Sequence, residues 1–205
     1  MPRNTKPMIE RNLEFRATDT TDDGLTLEGL AAVFDVPTKI RDYLGHYSER
    51  IAFGAFKKSL TERRPVMQFD HGRDSRTGSV PIGVFEELRE TREGLYVRAR
   101  LHDNDLVLPI RQAIASQAIS GMSIKFRVIQ EEWRDAKGNR VSPERVSTLL
   151  DSNTQLTRTI KEIALAEAGP VVFPAYASTK VGVRNENKTL TLNLAEKRMR
   201  MAGLL

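Results

Sequence analysis

The residues able to move protons or attack a carbonyl are few. The chain has 205 residues, among them three histidines, His46, His71 and His102, and no cysteine. Thiolate chemistry and a disulfide framework are therefore excluded. No two histidines stand three or four residues apart, and no His-Glu-x-x-His pattern occurs. A metal site would have to gather ligands from distant parts of the chain, so neither a metal nor an organic cofactor is expected. What remains is acid–base and nucleophilic chemistry by side chains alone.

His71 is the most informative histidine. The alternation of Met67 and Phe69 predicts a strand over Pro65–Asp70, and His71 continues its apolar face before meeting Gly72. An imidazole there is partly desolvated and needs both ring nitrogens satisfied. Glu167 shares strand parity with Ile163 and Leu165, so an acid follows two apolar side chains on one face and calls for a cationic or N–H partner. Ser123 lies just past Gly121, on the strand face it shares with Lys125 and Arg127, while Met122, Ile124 and Phe126 fill the other. On pattern alone each has an ordinary reading: a histidine bonded to backbone, a rim glutamate, a serine on a polar face.

The elements that must position these residues are mostly strands. Period-two patterning predicts strands at Leu13–Ala17, Leu25–Phe34 and Tyr47–Ile51, then a short helix around Phe53–Leu60. Val80–Leu88 and Gly94–Leu101 form the clearest hairpin, with Leu95, Val97, Ala99 and Leu101 on one side and Tyr96, Arg98 and Arg100 on the other. Asp103-Asn104-Asp105 caps a helix over 106–117, whose early Pro109 is tolerated only near the first turn. Met122–Trp133 is a long strand turning at Lys137-Gly138-Asn139. Residues 141–158 are expected to be a polar loop with one helical turn, and Ile160–Phe173 a strand broken at Gly169-Pro170. The expected class is α+β and β-rich: a closed or curled β-barrel with helices packed outside.

Composition narrows the partners. Forty per cent of residues are hydrophobic, enough for one core. The apolar runs, such as Gly29–Phe34, fall far short of the roughly 20 residues of a membrane-spanning helix. The basic start, Met1–Lys6, lacks the apolar region of a signal peptide, which fits a cytosolic protein. The net charge of +5 arises from 32 Lys and Arg spread among 27 acids. No basic cluster alternates with aromatics, so a nucleic-acid module is disfavoured and a mixed solvated surface is expected.

Segments from about 26 to 181 resemble, in order, the prohead proteases of tailed phages, which mature capsids of the HK97 type. They are Leu27-Glu28-Gly29-Leu30-Ala31-Ala32-Val33-Phe34, Glu49-Arg50-Ile51, Gly54-Ala55-Phe56, Phe69-Asp70-His71, Ile82-Gly83 and Glu93-Gly94-Leu95. Ser120-Gly121-Met122-Ser123-Ile124-Lys125-Phe126 follows, then Glu162-Ile163-Ala164-Leu165-Ala166-Glu167 and Phe173-Pro174-Ala175. The resemblance implies a fold similar to the herpesvirus assembly proteases, a barrel ringed by helices. It also implies a serine endopeptidase with nucleophile Ser123, base His71 and third member Glu167. Glu162, on the same strand with opposite parity, is the alternative acid.

The implied substrates are the major capsid protein with its scaffolding part, and the protease itself, inside a procapsid assembling in the host cytoplasm. Whether the enzyme forms a homodimer or packs with capsid subunits stays open. A disordered 1–7, a protease domain over 8–184 and a flexible, self-cleaved tail over 185–205 are expected. Two departures from the family pattern stand out: Lys125 where glycine is usual, and Gly169-Pro170 inside a strand that is usually continuous. They leave the oxyanion donors open, with Lys125 and Arg127 as candidates by proximity. A scaffolding protein that keeps the fold without catalysis is the rival reading.

Overall fold

A computed structural model describes residues 7–14 and 24–172, all within one compact unit. Among these residues ten strands form one sheet. In chain order they are β1 (Met8–Glu14), β2 (Thr26–Val33), β3 (Thr38–Asp42), β4 (Gly45–Ile51), β5 (Val66–Met67), β6 (Gly83–Glu90), β7 (Gly94–Leu101), β8 (Gly121–Asp135), β9 (Arg140–Val141) and β10 (Leu156–Val171). Three α-helices accompany them among the described residues: α1 (Lys57–Glu62), α2 (Leu108–Ala115) and α3 (Pro143–Asp151). The hydrogen-bonded order is β1-β8-β10-β5-β6-β7-β2, with β4 on the first part of β10, β3 beside β4 and β9 beside β8. The end strands β1 and β2 lie against each other, so the sheet curls toward a barrel, as expected for the class.

The inner faces explain why the strands hold. In β7, Leu95, Val97 and Ala99 are fully buried and Leu101 nearly so, while Arg98 and Arg100 are exposed, the alternation the sequence predicts. Phe126, Met122 and Ile124 of β8 meet Ile160 and Ile163 of β10, Phe56 ahead of α1, and Ile110 and Ile114 of α2 in one core. Each large apolar side chain buried this way contributes about 1.5–3 kcal/mol. Pro109 sits in the first turn of α2, and the Asn104 side chain accepts from the Val107 N–H at 3.0 Å, closing the entry to that helix.

Three expectations are corrected. Residues 141–158 are not a loop: they hold β9, the start of β10, and helix α3, which buries Val146 and Leu150. The β3–β4 hairpin replaces a lone strand at Tyr47–Ile51, because only Ile40 of β3 is buried and charged residues mask its alternation. The third correction concerns β10, which runs unbroken through Gly169 and Pro170, paired with Ser123 and Met122 of β8. Among the described residues no ladder flanks the other side of β10 beyond Ala168, so Pro170 holds an edge-like place where a missing N–H is tolerated. Residues 15–17 of the first expected strand, most of the N-terminal segment 1–7, and the tail beyond Asn185 lie outside the described residues.

Candidate active site

β8 and β10 are the long central pair, and they supply two of the three expected residues. Ser123 lies on β8 opposite Gly169, with Asn12 of β1 on its other flank. Glu167 lies on β10 at a bulge: Leu165 faces Phe126 and Glu167 faces Lys125, so Ala166 is the extra residue. A bulge beside a polar cluster re-aims side chains that a regular pleat would direct elsewhere. Glu167 is 2% exposed and Ser123 has no exposed surface. Ser123 therefore does not lie on a solvated polar face, because its side of β8 is roofed by the histidine.

His71 arrives from outside the pair. The expected strand over Pro65–Asp70 shortens to β5, after which the chain makes a tight turn over Asp70–Gly72. Asp70 and His71 both adopt left-handed backbone, with φ of 46° and 58°. Such conformations cost on the order of 1–3 kcal/mol each in a residue with a Cβ and survive where the surroundings enforce them. One cause is visible in Gly169. A Cβ on Gly169 would lie 1.8 Å from the Gln68 carbonyl oxygen, so only glycine lets the Gln68 backbone cross β10 closely enough to bring the turn over Ser123.

The result is a buried chain of contacts. Ser123 Oγ lies 2.6 Å from His71 Nε2, and His71 Nδ1 lies 2.7 Å from Glu167 Oε2. Glu167 Oε1 is buried with no hydrogen-bond partner, leaving the imidazole as the polar group facing this carboxylate among those described. Ser123 Oγ also lies 3.2 Å from the Arg11 carbonyl of β1, to which it can donate. Glu162, the alternative acid, points to the other side, where Lys58 Nζ meets its carboxylate at 3.2 Å. His46 and His102 are exposed and lie at the start of β4 and just past β7.

The structure adds residues that sequence reasoning missed. The Glu10 carboxylate of β1 comes within 3.9 Å of His71 Nε2, is hydrogen-bonded by Arg73, and lies 3.5 Å from Lys125 Nζ. Burial pushes the Glu10 carboxyl up, but the Arg73 hydrogen bond and the nearby His71, Arg73 and Lys125 charges outweigh it and hold it below the usual glutamate value. Arg11 pins the same strand through Glu49 of β4, with Nε 2.5 Å and Nη2 3.1 Å from its two carboxylate oxygens. Arg158 of β10 holds Glu49 from the far side at 3.0 Å. Of the suggested cationic donors, Lys125 reaches the site through Glu10, while Arg127 lies two residues further along β8 with its Nε buried and unpartnered. Among the described residues no group of three or more His, Asp or Glu converges as a metal site would require.

A curled β-sheet with a buried Ser–His–Glu chain at its central strand pair is the kind of site that hydrolases with a serine nucleophile use. The chain matches the family described as Caudovirus prohead serine protease over residues 11–193, and it belongs to that family. It is 28% identical over 130 residues to the prohead protease of Enterobacteria phage HK97, which covers 62% of this chain and 55% of that protein. The chain thus matches about half the length of this curated relative. The structure of the bacteriophage T4 capsid assembly protease aligns with a TM-score of 0.47 and 13% identity, covering 83% of this chain and 100% of that one.

Proposed function

We propose that this chain is a serine endopeptidase that cleaves the scaffolding part of a major capsid protein, and itself, within an assembling procapsid. The observation that carries this reading is the imidazole of His71 standing between Ser123 Oγ and the Glu167 carboxylate, at hydrogen-bond distance from both.

A serine hydroxyl attacks a peptide carbonyl only if a base takes its proton as the bond forms. His71 Nε2 is placed to do so, then to return the proton to the leaving amine. Glu167 fixes the tautomer that carries hydrogen on Nδ1 and stabilises the imidazolium formed during attack. The acyl-enzyme on Ser123 is then hydrolysed by water activated through the same ring. The left-handed turn at Asp70 and His71 and the buried carboxylate hold the ring in one orientation, which lowers the reorganisation needed at attack.

The test is co-expression with the capsid protein of the same phage, followed by intact-mass measurement of the products. Wild type is expected to shorten the capsid precursor and Ser123→Ala to leave it whole while remaining folded. Self-cleavage is read in the same spectra: a chain shortened beyond about Asn185 in wild type and full length in Ser123→Ala. Normal capsid processing by the folded Ser123→Ala protein contradicts the proposal and favours the scaffolding reading.

A further inference from the structure

Beside the contact between His71 Nε2 and Ser123 lies the chain's own Glu10. This carboxylate is held between two cations from different elements, Arg73 just past the histidine turn and Lys125 two residues beyond Ser123 on the same face of β8. It lies 3.9 Å from the nitrogen that touches the nucleophile. Two cations do not converge beside a serine–histidine pair for packing reasons. Arg73 is 60% exposed and Lys125 34%, so neither is there to fill the core.

We propose that Arg73 and Lys125 form a subsite for an acidic side chain of the peptide substrate, and that Glu10 fills it at rest. The inference rests on the protease reading and specifies its substrate. The distances fix which peptide residue is meant. An extended chain advances about 3.3 Å per residue. A carboxylate seated 3.9 Å from His71 Nε2 therefore belongs to one of the two residues flanking the cleaved bond. A bound substrate displaces Glu10, which is 28% exposed, and exchanges one carboxylate for another on the same two cations. Either carboxylate serves both cations, so neither cation is left without a partner at rest, and peptides with a neutral residue at that position are penalised for leaving both without one.

The test pairs cleavage with binding. A set of fluorogenic peptides is made from a processed capsid sequence, carrying Glu or Gln at each flanking position. Wild type is expected to favour Glu over Gln at one of the two positions by roughly 10- to 100-fold in kcat/KM. Lys125→Met and Arg73→Gln each collapse that ratio, through KM for the Glu peptide, and Glu10→Ala lowers that KM. In parallel, Ser123→Ala protein is titrated with N-acetyl-glutamic acid amide and with its glutamine counterpart, followed by the ring resonances of His71. A shift with the acid and none with the amide is expected. If the His71 resonances discriminate but no peptide is cleaved, the subsite stands and the protease reading fails. Equal cleavage and equal resonance shifts for acid and amide overturn the subsite. So does a loss in kcat that is the same for both peptides in Lys125→Met and Arg73→Gln, since it assigns the cations to the oxyanion instead.

Discussion

Gly169→Ala tests how closely the site depends on one backbone crossing. The added Cβ would lie 1.8 Å from Gln68 O, 2.9 Å from its carbonyl carbon and 3.1 Å from its nitrogen. All three are backbone atoms, so no flexible side-chain end can yield. An ordinary carbon–oxygen contact is about 3.3 Å, and the strand crossing must therefore open by roughly 1.5 Å. Gln68 precedes His71 by three residues, so much of that shift reaches the imidazole. If all of it did, the 2.6 Å contact between His71 Nε2 and Ser123 Oγ would open to about 4 Å, beyond hydrogen-bond reach. Misplacement by about 1 Å costs on the order of 10²-fold in rate, and overpacking costs about 1–3 kcal/mol in stability. Gly169→Ala is thus expected to fold with a melting temperature lowered by several degrees and to lose at least about 10²-fold in kcat. The assay is steady-state cleavage of a capsid-derived peptide, with thermal unfolding on the same sample. Wild-type rate in the folded variant would refute the claim that this crossing sets the histidine.

Glu167→Gln keeps shape but not charge and is expected to lose roughly 10²–10³-fold in kcat, less than the ~10⁴ of the well-studied aspartate case, whereas Glu162→Gln, facing Lys58, is nearly silent; reversed effects in side-by-side peptide assays would place the acid on the other face of β10. Glu49→Gln is expected to destabilise the fold by about 1–3 kcal/mol in urea unfolding, because Glu49 and Arg158 are 3% and 4% exposed and the buried guanidinium loses one of its two carboxylates while keeping Glu131 at 2.6 Å; no measurable loss would show that Glu131 alone compensates Arg158. Burial, with the hydrogen bond to Asp42 at 2.7 Å, pushes the Tyr47 hydroxyl up. Its proton is then kept by the folded form and lost by the unfolded one above pH ~10, so stability falls as pH rises from there, by at most about 1.4 kcal/mol per pH unit. Tyr47→Phe should flatten that alkaline slope in denaturant titrations, and an unchanged slope would assign it to other groups.

The strands whose one face is apolar were legible from their period of two, and β7 is the clearest case, with Leu95, Val97, Ala99 and Leu101 all inside. The β3–β4 hairpin was hidden because Lys39, Arg41 and Asp42 surround a single buried Ile40. α3 carried its start signal in Ser142-Pro143-Glu144, but only Val146 and Leu150 mark its inner face, too few for a helical period to stand out. Gly169-Pro170 reads locally as a strand break; its role depends on what crosses above it, and a pattern along one strand cannot report that.

The same limit applies at the site. Alternation put His71 on the buried side of its segment, although the histidine sits in a left-handed turn and not on a strand. It put Ser123 on a polar face that tertiary structure closes over. Glu10 lies 61 residues before His71 and 113 before Ser123, and Arg73 lies 50 before Ser123, in no pattern visible along the chain; their convergence follows from β1 pairing with β8 beneath the histidine turn.

The central claim is that Ser123 is a nucleophile activated by His71. The direct measurement is exposure of the full chain to a reactive fluorophosphonate, then peptide mapping by mass spectrometry. One adduct on Ser123 is predicted, lost in His71→Ala and kept in His46→Ala and His102→Ala. An unlabelled Ser123 in protein that still processes its capsid substrate, or labelling undiminished in His71→Ala, would contradict it.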